Sequence, residues 1–246
     1  MPGLRVLGVI PARLHSTRLP RKVLREIAGV PMVAHVFRRA RQSPLLSDLL
    51  VATDAQDIVD ACHALEIPAV MTSADHPSGT DRVWEVSRSR AADVYVNIQG
   101  DEPLISPGHI AALVEPFQRR PETQVTTLMI RATVEEARDP NVVKVACTLA
   151  GTALYFSRLP IPFDRDQAAA PEYWKHLGIY AYRREALESF HRFPPSALET
   201  AERLEQLRFL EHGVPIRVVE TMEATIGVDT EADLRAVEAY LRARPR

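Results

Sequence analysis

The chain is predicted to be an α/β protein, with a mainly parallel sheet flanked by helices and a smaller inserted lobe. Short apolar runs alternate with helix-patterned segments through the first half, a βαβα rhythm that places parallel strands beneath covering helices. The second half loses this rhythm and carries a Pro- and Asp-containing excursion near residues 160–171. The 246 residues are 46% hydrophobic and 25% charged, enough for a substantial core.

Arg5–Ile10 reads as a buried strand broken at Pro11, and Pro31–Arg41 as an amphipathic helix with proline suited to its first turn. Asp48–Thr53 is the next strand, and Asp54 is placed to cap the helix containing Ile58, Val59, Cys62 and Leu65. Pro68–Thr72, Thr80–Arg90, Val94–Ile98 and Ser106–Gln118 continue as strand, helix, strand and helix. Gln124–Arg131 follows as a strand; Val142–Thr148 and Thr152–Phe156 are spaced to pair across Ala150-Gly151. Tyr173–Tyr182 is strand-like, and Leu198–His212 reads as one helix opened by a capping box of Ser196 with Glu199. Ile216–Glu220 is the final strand, expected to return to the first sheet, and Thr230 with Asp233 caps a last helix. Residues 1–246 therefore read as a single domain, with a lobe at about 130–215.

A formal net charge of −2 and the lack of a basic tail argue against nucleic acid as a partner. No run of about 18 apolar residues is present to span a membrane. Arg13 and Pro11 interrupt the early apolar run, so it does not read as a signal peptide. Cys62 and Cys147 lack metal-like spacing and read as reduced thiols, which points to the cytoplasm.

Charge is placed locally. Between Pro11 and Arg25 lie Arg13, Arg18, Arg21, Lys22 and Arg25 with no acidic residue, directly after the first strand. That is where an open α/β sheet holds polyphosphate, whose charge needs several cations and backbone N–H groups together. Arg13, Arg18 and Lys22 are the stronger candidates, with Arg21 and Arg25 at the surface. A second candidate site is the buried strand ending at Gly100-Asp101-Glu102, where Asp101 is suited to Mg²⁺ beside phosphate oxygens. Asp229, at another strand-to-helix junction, reads either as a helix-cap neighbour or as a second metal carboxylate. Ser78, ahead of Gly79 and Thr80, serves equally as a cap or as the rim of an anion site. Alternation places His176, Gly178 and Tyr180 on one strand face.

The ordered set Pro-Ala-Arg-x-x-Ser-Thr-Arg-Leu-Pro-x-Lys (11–22), Ala-Thr-Asp (52–54), Ser-Gly-Thr-Asp-Arg (78–82), Asn-Ile-Gln-Gly-Asp-Glu-Pro (97–103), Ala-Leu-Tyr-Phe-Ser-Arg (153–158), His-Leu-Gly-Ile-Tyr (176–180), Leu-Glu-Gln-Leu-Arg (204–208) and Gly-Val-Asp-Thr (227–230) closely resembles the CMP-KDO synthetase family, the 3-deoxy-manno-octulosonate (KDO) cytidylyltransferases. The resemblance implies a nucleotide-diphospho-sugar transferase type (Rossmann-like) fold, a cytoplasmic homodimer, and CTP and KDO as substrates. The products would be CMP-KDO, for lipopolysaccharide synthesis, and pyrophosphate. It implies that Arg13, Arg18 and Lys22 bind the CTP phosphates, with Ala12 and Ser78 near the cytidine. Asp101 and Asp229 would hold Mg²⁺, and Lys22, Arg13 and Asp101 would carry catalysis. Gln99, Arg158, His176, Tyr180, Glu205 and Gln206 would form the sugar pocket.

The residue chemistry agrees: displacement at phosphorus asks for positioning and charge neutralisation. The KDO carboxylate asks for cations or strong donors, which Arg158 and His176 fit. No general base is evident, and a metal on Asp101 lowering the hydroxyl pKa is the expectation. Arg21 departs from the resemblance, because the family commonly has glycine there. Its side chain either alters loop flexibility or adds a phosphate contact. Alternatives are a cytidylyltransferase for an 8-amino KDO analogue or for sialic acid, or a catalytically silent nucleotide-binding protein on the same fold. His176, Tyr180 and Glu205 argue against sialic acid. Asp101, Asp229, Lys22 and Arg13 argue against the silent protein.

Overall fold

The computed structural model describes residues 3–14, 16, 19–166 and 171–243. It divides into two compact units, Met1–Ala111 with Thr225–Arg246, and Ala112–Ala224.

The first unit opens with β1 (Val6–Ala12), a 3-10 turn (Lys22–Leu24), the short pair β2 (Glu26–Ile27) and β3 (Val30–Pro31), and α1 (Met32–Ala40). There follow β4 (Asp48–Thr53), α2 (Gln56–Ala64), β5 (Ala69–Met71), α3 (Gly79–Ser89) and β6 (Val94–Asn97). The division between the units falls within α4 (Pro107–Arg119). β6, β1, β4 and β5 lie side by side in that order, all parallel, with helices packed against them as the alternating pattern predicts. The near-continuous apolar runs of β1, β4 and β6 suit strands buried on both faces.

β1 does not stop at Pro11. Pro11 pairs with Ala52 and Ala12 with Thr53. Backbone alternation turns Pro11 to the same side as Val9, whose carbonyl accepts from the Ile98 N–H. Pairing with β6 ends at Val9 opposite Asn97, so the missing proline N–H removes no ladder bond.

Asp54 does not cap α2 either. Ala55 occupies the N-cap position without a side-chain cap, and Asp54 Oδ2 instead accepts from Arg82 Nη2 at 2.8 Å. Arg82 is fully buried, and an enclosed guanidinium needs a counter-charge more than an exposed helix end needs a cap.

The second unit contains β7 (Val125–Ala132), α5 (Val134–Arg138), β8 (Lys144–Cys147), β9 (Ala153–Ser157) and β10 (Tyr173–Arg183). It continues with α6 (Arg184–Arg192), α7 (Ala197–Glu202), α8 (Gln206–Glu211) and β11 (Ile216–Glu220). β11 pairs with β7 in parallel, whereas β7–β10, β10–β8 and the predicted β8–β9 hairpin are antiparallel.

The single helix expected over 198–212 is two. The Ser196–Glu199 capping box opens α7 as predicted, but Arg203 adopts a left-handed conformation (φ 52°) and ends it. The Glu202 carbonyl, at this break, accepts from Arg158 Nε at 2.8 Å.

From Thr225 the chain belongs again to the first unit and forms α9 (Glu231–Ala243). Thr230 and Asp233 cap it reciprocally, as the sequence predicts. Leu234 and Val237 of α9 and Val228 before it share a core with Leu19, Ile27, Met32 and Leu104. Each such buried aliphatic side chain contributes about 1.5–3 kcal/mol. That packing brings the loop carrying Asp229 beside the basic loop after β1.

Candidate active site

Lys22 is the centre of the first unit's constellation. Its Nζ donates to Asp101 Oδ2 at 2.6 Å and to Asp229 Oδ1 at 2.9 Å. Burial alone would lower its pKa, but the two carboxylates more than offset this, so the ammonium is held charged.

Both carboxylates stand on braced backbone. A Cβ added to Gly100 would lie 2.8 Å from the Pro11 carbonyl oxygen, so the loop after β6 crosses the end of β1 too closely for any other residue. The Asp101 carbonyl accepts from the Val228 N–H at 2.9 Å, and Glu102 Oε2 accepts from Thr225 Oγ1 at 2.5 Å. The Asp229 N–H in turn donates to Asp233 at 3.0 Å.

The other cations of the basic loop separate by partner. Arg13 Nη2 donates to the His76 carbonyl at 3.2 Å. Arg21 pairs with Asp57 at 2.9 Å and Arg25 with Glu231 at 2.7 Å, both as exposed surface pairs. Arg18, predicted to bind phosphate, lies outside the described residues. Arg21 has φ 55° and ψ 33°, a left-handed conformation, which is the physical reason a glycine suits this position. Its guanidinium turns to Asp57 rather than toward Asp101 and Asp229.

Ala12, at the end of β1, is fully buried. Ser78 is the N-cap of α3: its Oγ accepts from the Asp81 N–H at 3.1 Å and donates to Asp81 Oδ2 at 2.7 Å. Gln99 opens the turn before Asp101, its carbonyl accepting from the Glu102 N–H at 3.1 Å.

Two carboxylates converging on one positive atom form a donor set that suits Mg²⁺, which takes one or two carboxylates and leaves its other positions to phosphate and water. The Lys22 ammonium shows that their oxygens accept a shared cation. Among the described residues no group of three or more His, Cys, Asp or Glu gathers as a metal cage.

The remaining predicted residues lie in the second unit. His176 Nε2 is 2.9 Å from Thr127 Oγ1, which also lies 2.9 and 3.2 Å from the carbonyl oxygens of Ile179 and Leu177. Those carbonyls can only accept, so the Thr127 hydroxyl proton goes to one of them and Nε2–H donates to Oγ1. This fixes the tautomer with Nδ1 as an acceptor. Burial pushes the His176 pKa down to about 3, so the ring is neutral: it serves as a polar partner and not as a cation.

Simple alternation does not place Tyr180 beside His176. The β10–β7 register shifts between Leu177 and Tyr180, two extra residues bulging around Thr127. The two rings come within 5.4 Å, where a regular strand separates residues four apart by about 13 Å. Burial pushes the Tyr180 phenol well up, with Tyr182 and Glu205 adding to the effect, so it stays protonated.

Arg158 is held by Glu202. Its N–H donates to Glu202 Oε2 at 2.9 Å, and its Nη1 reaches the Pro140 carbonyl at 3.0 Å. The Arg158 carbonyl accepts from Lys144 Nζ at 2.5 Å. Glu205 stands at the N-cap of α8 and Gln206, its first residue, is buried.

The basic loop, Asp101, Asp229, Ser78 and Gln99 thus lie in the first unit, and Arg158, His176, Tyr180, Glu205 and Gln206 in the second. Sequence reading missed Thr127 and Lys144. The available signal was a polar residue inside an apolar strand pattern at each position, which is costly to bury unless it is bonded.

Comparisons with known proteins show which family the chain belongs to. The family model described as cytidylyltransferase matches residues 7–220. A 3-deoxy-manno-octulosonate cytidylyltransferase from Acidobacterium capsulatum is 56% identical over 246 residues, covering 100% of both chains. One from Koribacter versatilis is 53% identical over 241 residues, covering 98% of this chain and 92% of its own. A solved structure of CMP:2-keto-3-deoxy-manno-octonic acid synthetase complexed with CTP superposes with a TM-score of 0.93 at 44% identity, covering 97% of this chain and 99% of that one.

Proposed function

Because this chain belongs to the cytidylyltransferase family, we propose that it transfers CMP from CTP to the anomeric 2-hydroxyl of KDO. The products are CMP-KDO and pyrophosphate. One observation carries this reading: 56% identity along the entire chain to a 3-deoxy-manno-octulosonate cytidylyltransferase. The Lys22, Asp101 and Asp229 cluster supplies the phosphate chemistry that such a reaction needs.

Arg13, Arg18 and Lys22 bind the triphosphate, with Ala12 and Ser78 beside the cytidine. Lys22, which pairs with Asp101 and Asp229, turns to phosphate oxygens when CTP binds. Asp101 and Asp229 would hold Mg²⁺, which when bound would supply charge neutralisation on the phosphates. In the second unit the sugar is bound by Arg158, His176, Tyr180, Glu205 and Gln206. Arg158 provides positive charge for its carboxylate, Tyr180 a donor, and His176 Nδ1 and Glu205 acceptors for hydroxyls. The sugar hydroxyl oxygen forms a bond to the α-phosphorus as the bond to the β-phosphate bridging oxygen breaks. Pyrophosphate leaves with that electron pair, and the hydroxyl proton passes to solvent water.

This activity feeds activated KDO to lipopolysaccharide synthesis, and its use of CTP assigns it to the cytoplasm. The enzyme acts as a homodimer, a reading supported by the exposed apolar residues Leu154, Leu159 and Phe163 of the second unit. Leu159→Asp is expected to shift the protein to monomer in sedimentation.

Pyrophosphate release from CTP, measured with KDO, its 8-amino analogue and sialic acid, with and without Mg²⁺, tests the function. Release with KDO that depends on Mg²⁺ is expected. A clear preference for either other sugar would replace the substrate assignment, and no release with any of them would overturn the reading.

A further inference from the structure

Between β5 and α3 the chain makes a loop, residues 72–78, that is fastened far more heavily than a surface connection requires. At its start the Thr72 N–H donates to the Thr53 carbonyl at 2.8 Å, and the buried Arg82 reaches the Thr72 hydroxyl. At its end Ser78 caps α3. Its middle is captured by one side chain: Glu85, on the second turn of α3, accepts the Ser73 N–H at 2.9 Å and the His76 Nε2–H on the same oxygen. The His76 ring also meets Trp84 edge-on at 6.5 Å. With side chain and preceding backbone both held, the His76 carbonyl has a set direction, and it accepts Arg13 Nη2 at 3.2 Å.

We propose that Glu85 is a positioning residue for the nucleotide site, clamping the 73–76 loop so that the His76 carbonyl orients the Arg13 guanidinium toward phosphate. An arginine left free must lose its rotamer freedom on binding; one already held by a single Nη keeps its other N–H groups for the ligand and has lost that freedom beforehand. Burial alone would push the Glu85 pKa up, but the Ser73 N–H and His76 outweigh it, so the clamp carries its charge at neutral pH. Neither Glu85 nor His76 needs to touch substrate for this role. The inference deepens the proposed function and rests on its assignment of Arg13 to the CTP phosphates.

The test is a double-mutant cycle read through CTP. Glu85→Ala should raise the KM for CTP about tenfold while leaving the KM for KDO within about twofold. Glu85→Gln keeps a carbonyl acceptor for both donors and should restore most of that loss. In an Arg13→Ala background Glu85→Ala should add less than about twofold, because the two changes remove one interaction. Should Glu85→Ala fold poorly, His76→Phe, which keeps the ring against Trp84 and removes the Nε2 bond, should shift the same KM. Equal losses for both substrates, or fully multiplicative losses in the double variant, would overturn the proposal. Calorimetric CTP binding without sugar keeps the two readings apart: a wild-type protein that binds CTP but does not use KDO loses the proposed function alone, and the Glu85 cycle remains readable in binding.

Discussion

Lys22 donates to the Asp101 carboxylate at 2.6 Å, across 79 residues of sequence. The bond ties the loop after the first strand to the loop after the sixth strand. With Asp229 as the second acceptor, it makes one charged centre from three separate chain segments.

Asp101→Asn keeps the side-chain shape and removes its charge. Turnover is expected to fall at least about 10²–10³-fold, in line with the loss of one preorganised electrostatic group. Stability should change by only about 1 kcal/mol, because Asp229 still pairs with Lys22. Steady-state kinetics with a urea titration checks both, and near-normal turnover would remove Asp101 from the site.

Gly100→Ala places a methyl 2.8 Å from the Pro11 carbonyl. Backbone must move, with an expected cost of about 1–3 kcal/mol. Asp101 moves with it, so kcat should fall by about tenfold or more. Alanine without effect on either quantity would show that the two loops have room to spare.

Arg21→Gly relieves a left-handed non-glycine residue, worth about 1–2 kcal/mol. It also loses an exposed ion pair worth less than about 1 kcal/mol and adds unfolded-state freedom. Net stability is expected within about 1 kcal/mol of the parent, and the KM for CTP within about twofold. A large rise in that KM would instead make Arg21 a phosphate contact.

His176 sets a pH dependence. Its folded-state pKa lies near 3, below the unfolded value of 6.5, so the unfolded chain binds the extra proton between them. Stability is therefore full above about pH 6.5 and lost as pH falls toward 3, at up to about 1.4 kcal/mol per unit. Unfolding free energies from urea titrations at pH 7.5 and 5.0 should differ by about 2 kcal/mol more in the parent than in His176→Gln. Equal differences in the two proteins would place the acid sensitivity elsewhere.

The strand and helix order was legible from local pattern, because burial on two faces or one leaves apolar runs or 3.6-residue periodicity in the chain. Pro11 and Asp54 depart from the local pattern for one shared reason. A ladder bond not needed beyond Asn97, and a buried Arg82 in want of a carboxylate, are properties of neighbours distant in sequence. Nothing local announces the left-handed turn at Arg203, so the pattern over 198–212 reads as one continuous helix.

By itself the sequence determined the βαβα architecture, the crowding of cations after the first strand, and the acids at two strand-to-helix junctions. Residue type and spacing suffice for these. Only the tertiary structure decided how the cations divide: Lys22 meets Asp101 and Asp229, Arg13 meets the His76 carbonyl, and Arg21 and Arg25 turn to surface acids. It also decided that His176 is neutral and joined to Tyr180 by a bulge built on Thr127. Partner choice and desolvation depend on atoms brought together from distant parts of the chain, and local pattern carries no record of them.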